Sequence, residues 1–156
     1  YFLDADDIGV EGRLTQIKQL LELDTIEHHK IHSKDSFEVG CYVFHDRNSS
    51  SQKGKLENLL LDLMTPNNDQ VFSESIKFIE SNMLDPGRQK EYICADGVDD
   101  KYRGSTQFKK DKSIISIAGQ LQFSGANNSV IITKSDYIKT EDLKSNNCCN
   151  DIMKLF

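Results

Sequence analysis

Asp4 and Asp6 stand one residue apart directly after the apolar Tyr1, Phe2 and Leu3, and Asp7 follows at once. Like charges this close repel, so the cluster implies solvent, a cation or a partner. Residues two apart on an extended strand project to the same side, so Asp4 and Asp6 present two carboxylates together. Hard cations such as Mg²⁺ take oxygen ligands at about 2.0–2.1 Å, often one or two carboxylates with water and substrate phosphates in the other places. The same acids suit a second role. Asp6 or Asp7 would cap a helix that starts just after them, where carboxylates are favourable. Spacing alone leaves both readings open. A further acid, Asp46, follows another apolar run in His45-Asp46-Arg47-Asn48, and Glu57 sits where a helix begins in Gly54-Lys55-Leu56-Glu57.

The flanking pattern says which elements carry these residues. Tyr1 to Leu3 reads as the end of a buried strand, with Asp4 to Gly9 as the turn after it. Leu14, Ile17, Leu20 and Leu21 then make the apolar face of a helix over Glu11–Leu23. Val39 to Phe44 is a nearly continuous apolar run, the pattern of a strand covered on both faces. A turn-rich loop leads to a helix over about Lys55–Met64. Another helix begins near Asp69 with Val71, Phe72, Ile76, Ile79 and Met83 on one face, and Asp85-Pro86-Gly87 marks a turn. Ile114, Ile117, Ala118 and Leu121 suggest a helix, Ser129–Thr133 a short strand or a loop, and Glu141–Phe156 a helical end. Strand, helix, strand at these lengths means parallel pairing with a right-handed crossover. Ligands of such sheets gather beyond the carboxyl ends of the strands. Asp4, Asp6 and Asp46 are therefore expected at one edge.

The chain has 156 residues, 37% of them hydrophobic and 28% charged, which suits one folded domain over 1–156. No apolar run approaches the roughly 20 residues that span a bilayer, so no membrane partner is expected. A net charge of −6 argues against broad adhesion to nucleic acid through neutralised phosphates. A nucleotide or nucleic acid reached through a bound metal stays compatible with it. The four cysteines, at positions 41, 94, 148 and 149, have no zinc-finger spacing and read as reduced thiols of a cytoplasmic protein.

The stretches FLDADD, VGCYVFHDRN and GKLENLLLDL, with the later AGQL and DIMKLF, resemble the successive motifs of a family of uncharacterised prokaryotic proteins with a TOPRIM-like fold. That resemblance implies a three-layer α/β domain with a mainly parallel sheet flanked by helices. It also implies Mg²⁺ or Mn²⁺ held by Asp4 and Asp6, with Asp46 as the turn aspartate and Glu57 as the helix glutamate. The activity implied is nuclease or nucleotidyl-transfer chemistry on a phosphodiester or nucleotide. In a TOPRIM domain an earlier strand carries a further glutamate, so the resemblance implies an N-terminally truncated domain whose first strand lies ahead of Tyr1.

Other readings rest on other residues. A non-catalytic binding or interaction module that kept the fold fits the lack of a basic groove and of that earlier glutamate. A phospho-acceptor site would want a lysine at a late strand end, for which Lys134 is the candidate. His28, His29 and His32 have metal-chelating spacing in a segment, Asp24–Ser36, that otherwise reads as a solvated polar loop. Lys109, Lys110 and Lys112 read as a solvated helix start, and Cys148-Cys149 as half-buried packing on the last helix.

Overall fold

The computed structural model describes residues 1–82 and 108–156, together with the backbone of two short strands between them. The chain divides into two compact units, Tyr1–Asn67 with Asp136–Phe156, and Asn68–Ser135.

In the first unit, strand β1 (Phe2–Asp4) leads into helix α1 (Gly9–Leu20). Strands β2 (Ile31–Lys34), β3 (Phe37–Gly40) and β4 (Tyr42–Phe44) follow, then helix α2 (Leu56–Met64). β4 lies parallel to β1, with Phe2 beside Tyr42 and Asp4 beside Phe44. The apolar run expected as one strand over 39–44 thus serves two sheets. β3 pairs antiparallel with β2, and the break falls at Cys41, whose carbonyl accepts the His29 N–H at 2.8 Å. The polar segment 24–36 accordingly holds a strand and a tight hairpin rather than only a loop. Asp35 makes its turn with φ 50°, a left-handed conformation that Asp tolerates.

The parallel pair is covered on both faces. Cys41 and Val43 are buried with Ala5, Val10, Leu14 and Ile17 on the α1 side. Tyr42 is buried on the other side with Leu59 and Leu63 of α2 and with Cys148 of helix α7 (Asn147–Met153). Alternate residues of one strand thus feed two cores, which is why the run is apolar without a break. β1 differs from the expected buried strand: Phe2 is 45% exposed, and its ring stacks on Phe156 with centroids 6.0 Å apart. In α1 the buried stripe is Val10, Leu14 and Ile17, while Leu20 points outward. The helix stops where Glu22 turns left-handed at φ 52°.

The expected single helical end over 141–156 is broken into helix α6 (Thr140–Ser145) and α7. Asn146 makes the break, its side chain accepting the N–H groups of Cys148 at 2.8 Å and Cys149 at 3.2 Å. Cys148 is buried and Cys149 half-buried on α7, as expected, and both are free thiols.

The second unit holds helices α3 (Asp69–Asn82), α4 (Lys110–Gly119) and α5 (Asn128–Lys134), and the antiparallel pair β5 (Tyr92–Ile93) and β6 (Ser105–Thr106). α3 packs on α4 and α4 on α5, burying Phe72, Ile79, Ile114, Ile115, Ala118 and Ile131. Ser129–Thr133 is helical, neither strand nor loop, because Asn127 caps it by accepting the Val130 N–H at 3.0 Å. Leu121 lies beyond the end of α4 and is exposed. Met83 and the turn at 85–87 lie outside the described residues.

The described strands pair once in parallel and twice antiparallel, so they make a mixed α/β fold and not, by themselves, a mainly parallel sheet. No helix among the described residues is long and apolar enough to cross a membrane.

Candidate functional site

Because β1 and β4 are parallel and in register at Asp4 and Phe44, the residues after each strand emerge at the same end. Asp6 and Asp46 are then tied to one short segment. Asp6 exchanges backbone hydrogen bonds with Gly54, its N–H donating at 2.8 Å and its carbonyl accepting at 3.3 Å. The Asp46 N–H donates to the Lys53 carbonyl at 2.8 Å. Gly54 is required there. Its φ is +138°, and a Cβ would lie 2.4 Å from the Asp46 nitrogen and 2.9 Å from Asn58 Oδ1.

The side chains at this edge do several different things. Asp4 Oδ1 accepts the Leu56 N–H at 2.8 Å, so it caps the first turn of α2. The capping that the sequence suggested for Asp6 or Asp7 on the following helix thus belongs to Asp4, on a helix far along the chain. α1 itself begins after Ile8 with no side-chain cap. Asp6 adopts φ 47°, which aims its carboxylate back toward α1, where Arg13 donates to Oδ2 at 2.6 Å. The same guanidinium donates from Nε to the Asp4 carbonyl at 2.7 Å and from a second nitrogen to Gln16 Oε1 at 2.9 Å. Lys55 Nζ stands 3.5 Å from the other Asp6 oxygen. Asp46 Oδ1 accepts the Asn48 N–H at 2.8 Å and so shapes the turn after β4. Glu57 is half-buried in the first turn of α2, one residue after the N–H that Asp4 caps. Asp62, further along α2, has its carboxyl pushed above the usual range by desolvation and then by repulsion from Asp46, with Arg47 pulling the other way.

Arg13 and Lys55 are the residues of this edge that sequence reasoning did not single out. Lys55 carried a signal, as the cation directly after the Gly54 turn. Arg13 carried none, because its reach to Asp6 depends on the left-handed turn at that residue.

Two carboxylates leaving one strand end meet the protein's usual share of a Mg²⁺ shell, with water and phosphate supplying the rest. The donor chemistry of Asp4 and Asp6 fits on that count. A third protein ligand is not gathered with them: among the described residues no group of three or more His, Cys, Asp or Glu is drawn together to hold a metal.

The remaining sequence candidates fall elsewhere. His32 Nε2 accepts the Glu27 N–H at 2.9 Å and is occupied in its own hairpin. Lys134 ends α5, a helix, so it is not the strand-end lysine that a phospho-acceptor site wants. Lys110 starts α4 and pairs with Glu80 Oε1 at 2.6 Å. No protein-family model matches the chain, and comparison with curated proteins and with solved structures finds none similar to it.

Proposed function

We propose that the end of the parallel pair is a phosphate-handling site of a TOPRIM-like domain, acting on a phosphodiester or nucleotide in nuclease or nucleotidyl-transfer fashion. The observation that carries this reading is that Arg13 binds the Asp6 carboxylate and the Asp4 carbonyl together, with Lys55 beside Asp6, at the carboxyl edge of β1 and β4. Asp4 and Asp6 would hold Mg²⁺ or Mn²⁺, which when bound polarises a phosphoryl oxygen and balances the charge that develops on it. Arg13 fixes the Asp4–Asp6 turn in place, and Lys55 supplies a mobile cation to a phosphate oxygen. Asp46 and Glu57 are the further acids that would complete a ligand set or orient water. A three-layer, mainly parallel sheet belongs to the same proposal. Its support is that β1 and β4 are covered on both faces and that β1 has one neighbour among the described strands.

The charge balance at Asp6 makes this reading specific. Its two oxygens already face Arg13 and Lys55, so a cation arriving alone competes with both. A cation arriving with phosphate offers Lys55 a new partner. Mg²⁺ should therefore bind at least roughly tenfold more tightly when a nucleoside triphosphate is present, in keeping with its preference for phosphate-completed shells. Calorimetric titration of Mg²⁺ with and without the nucleotide, on the wild type and on Asp4→Asn and Asp6→Asn, tests this. Equal Mg²⁺ affinity in all three proteins would overturn it.

A second reading is favoured by the same salt bridges. If Arg13 and Lys55 serve only to neutralise Asp6, and Asp4 only to cap α2, the edge is structural and the domain is a binding or interaction module without catalysis. In that case neither phosphate nor Mg²⁺ shifts the melting temperature of the wild type by more than it shifts that of the two variants.

A further inference from the structure

On the α7 face of the parallel pair, three imidazoles come together that the acid edge does not use. His28 and His29 precede β2 and His45 follows β4, so a loop and a strand end bring them to one place. The His28 ring lies 5.0 Å from that of His29 and 5.3 Å from that of His45, centroid to centroid, and 4.8 Å from the Tyr42 ring. Two ring nitrogens in this group have a defined state. His45 Nδ1 lies 3.0 Å from the Val43 carbonyl, which can only accept, so Nδ1 carries the hydrogen and Nε2 is the nitrogen left to meet a metal. His28 Nε2 is fully buried and has no hydrogen-bond partner. Native structures rarely leave such an atom without a reason.

We propose that His28, His29 and His45 form a binding site for a borderline transition-metal ion, with Zn²⁺ as the occupant best suited to neutral imidazoles and a water in the fourth position. Three imidazoles on one tetrahedral ion, each nitrogen at about 2.0–2.1 Å, have ring centroids roughly 5 Å apart, and the two pairs that His28 makes, with His29 and with His45, have that spacing. The bond from His45 Nδ1 to a backbone carbonyl is the outer-shell contact that ligating histidines commonly make. His29 is anchored by its N–H to the Cys41 carbonyl at 2.8 Å, and its φ of 51° sets the direction of its side chain. The three donors do not already converge among the described residues, so binding takes a rotation of the rings about their side-chain bonds. Asp151 supplies negative charge beside the group, partly offset by its ion pairs to Arg47 at 2.9 Å and Lys154 at 2.7 Å. The site differs from the acid edge in donor chemistry, nitrogen against oxygen, and does not rest on the function proposed there.

Co²⁺ added to the full chain is the direct probe, followed by displacement with Zn²⁺. The expected result is one equivalent bound with the visible absorption of tetrahedral Co²⁺ and no thiolate-to-cobalt charge-transfer band. His45→Gln and His29→Asn, the latter chosen because Asn accepts a left-handed backbone, should each weaken tetrahedral Co²⁺ binding tenfold or more, whereas His32→Gln, whose ring is occupied by the Glu27 N–H, should leave it unchanged. A thiolate band, a binding loss in His32→Gln equal to that in His45→Gln, or no bound equivalent in the wild type would each overturn the proposal. If both cluster variants unfold, imidazole NMR of the wild type decides. Zn²⁺ must then shift the ring resonances of His28, His29 and His45 and spare those of His32.

Discussion

Asp4 Oδ1 accepts the backbone N–H of Leu56 at 2.8 Å, joining the end of the first strand to the start of α2 across 52 positions of sequence. The first N–H groups of a helix have no partner within it, and α2 takes part of its cap from this distant carboxylate. Asp4→Ala should therefore destabilise the first unit by about 1 kcal/mol, the usual loss for a helix cap. Asp4→Asn keeps an acceptor oxygen and should lose clearly less. Denaturant melts of the two variants compare them directly, and equal losses would show that the charge of Asp4 matters more than its hydrogen bond.

Arg13 holds the same turn from the other side, through Asp6 Oδ2 and the Asp4 carbonyl at once. A planar fork reaches both acceptors, and an ammonium does not. Arg13→Lys should thus behave nearly as Arg13→Ala. The pair is partly exposed, with side chains 26% and 39% accessible, so its own contribution is modest. A double-mutant cycle of Arg13→Ala with Asp6→Asn should give a coupling of about 0.5–1 kcal/mol that shrinks in high salt. A coupling indistinguishable from zero would leave Lys55 as the main partner of Asp6.

Gly54 accepts no side chain. Ala at this position must take an unfavourable backbone conformation and place its Cβ against the Asp46 nitrogen and the Asn58 side-chain oxygen. The expected loss for Gly54→Ala is about 2 kcal/mol or more, larger than for removing either carboxylate. Thermal unfolding measures it. A near-neutral outcome would mean that the loop after β4 rearranges at little cost, and with it the placing of Asp46.

What was legible in the sequence divides by the range of the interaction. The parallel pairing of β1 with β4, and so the shared edge of Asp4, Asp6 and Asp46, follows from two apolar runs joined by an amphipathic helix. The heart of α2 was equally clear from Leu59, Leu60 and Leu63. The hairpin at Asp35, the helix begun by Asn127 and the break at Asn146 are set by single Asp or Asn side chains or left-handed turns, which apolar periodicity does not register. At the site, the carboxylates were visible as a local cluster. Of their partners, Lys55 showed only as the cation after the Gly54 turn and Arg13 not at all, because only the fold brings them to Asp6.

The acid limb of stability offers a test of the electrostatics around Asp46. Desolvation, and next repulsion from Asp46, raise the Asp62 carboxyl above its ordinary value of 3.8, while Arg47 opposes them. A group whose folded value is raised holds its proton more tightly in the native state than in the unfolded chain. Its contribution is therefore fully present below the unfolded value and is lost as pH rises through the folded one. Asp62→Asn cannot ionise, so the variant should be more stable than the wild type near neutral pH, and the gap should close as pH falls toward 3.8. Asp62 lies on the exposed side of α2, so screening by water keeps the gain well under about 1 kcal/mol. Adding Asp46→Asn should remove most of the repulsive part, leaving Asp62→Asn with a smaller effect in that background. Chemical denaturation from pH 3.5 to 7.5 on the four proteins of the cycle measures both, and a stability gap that widens toward acid pH would reverse the assigned sign.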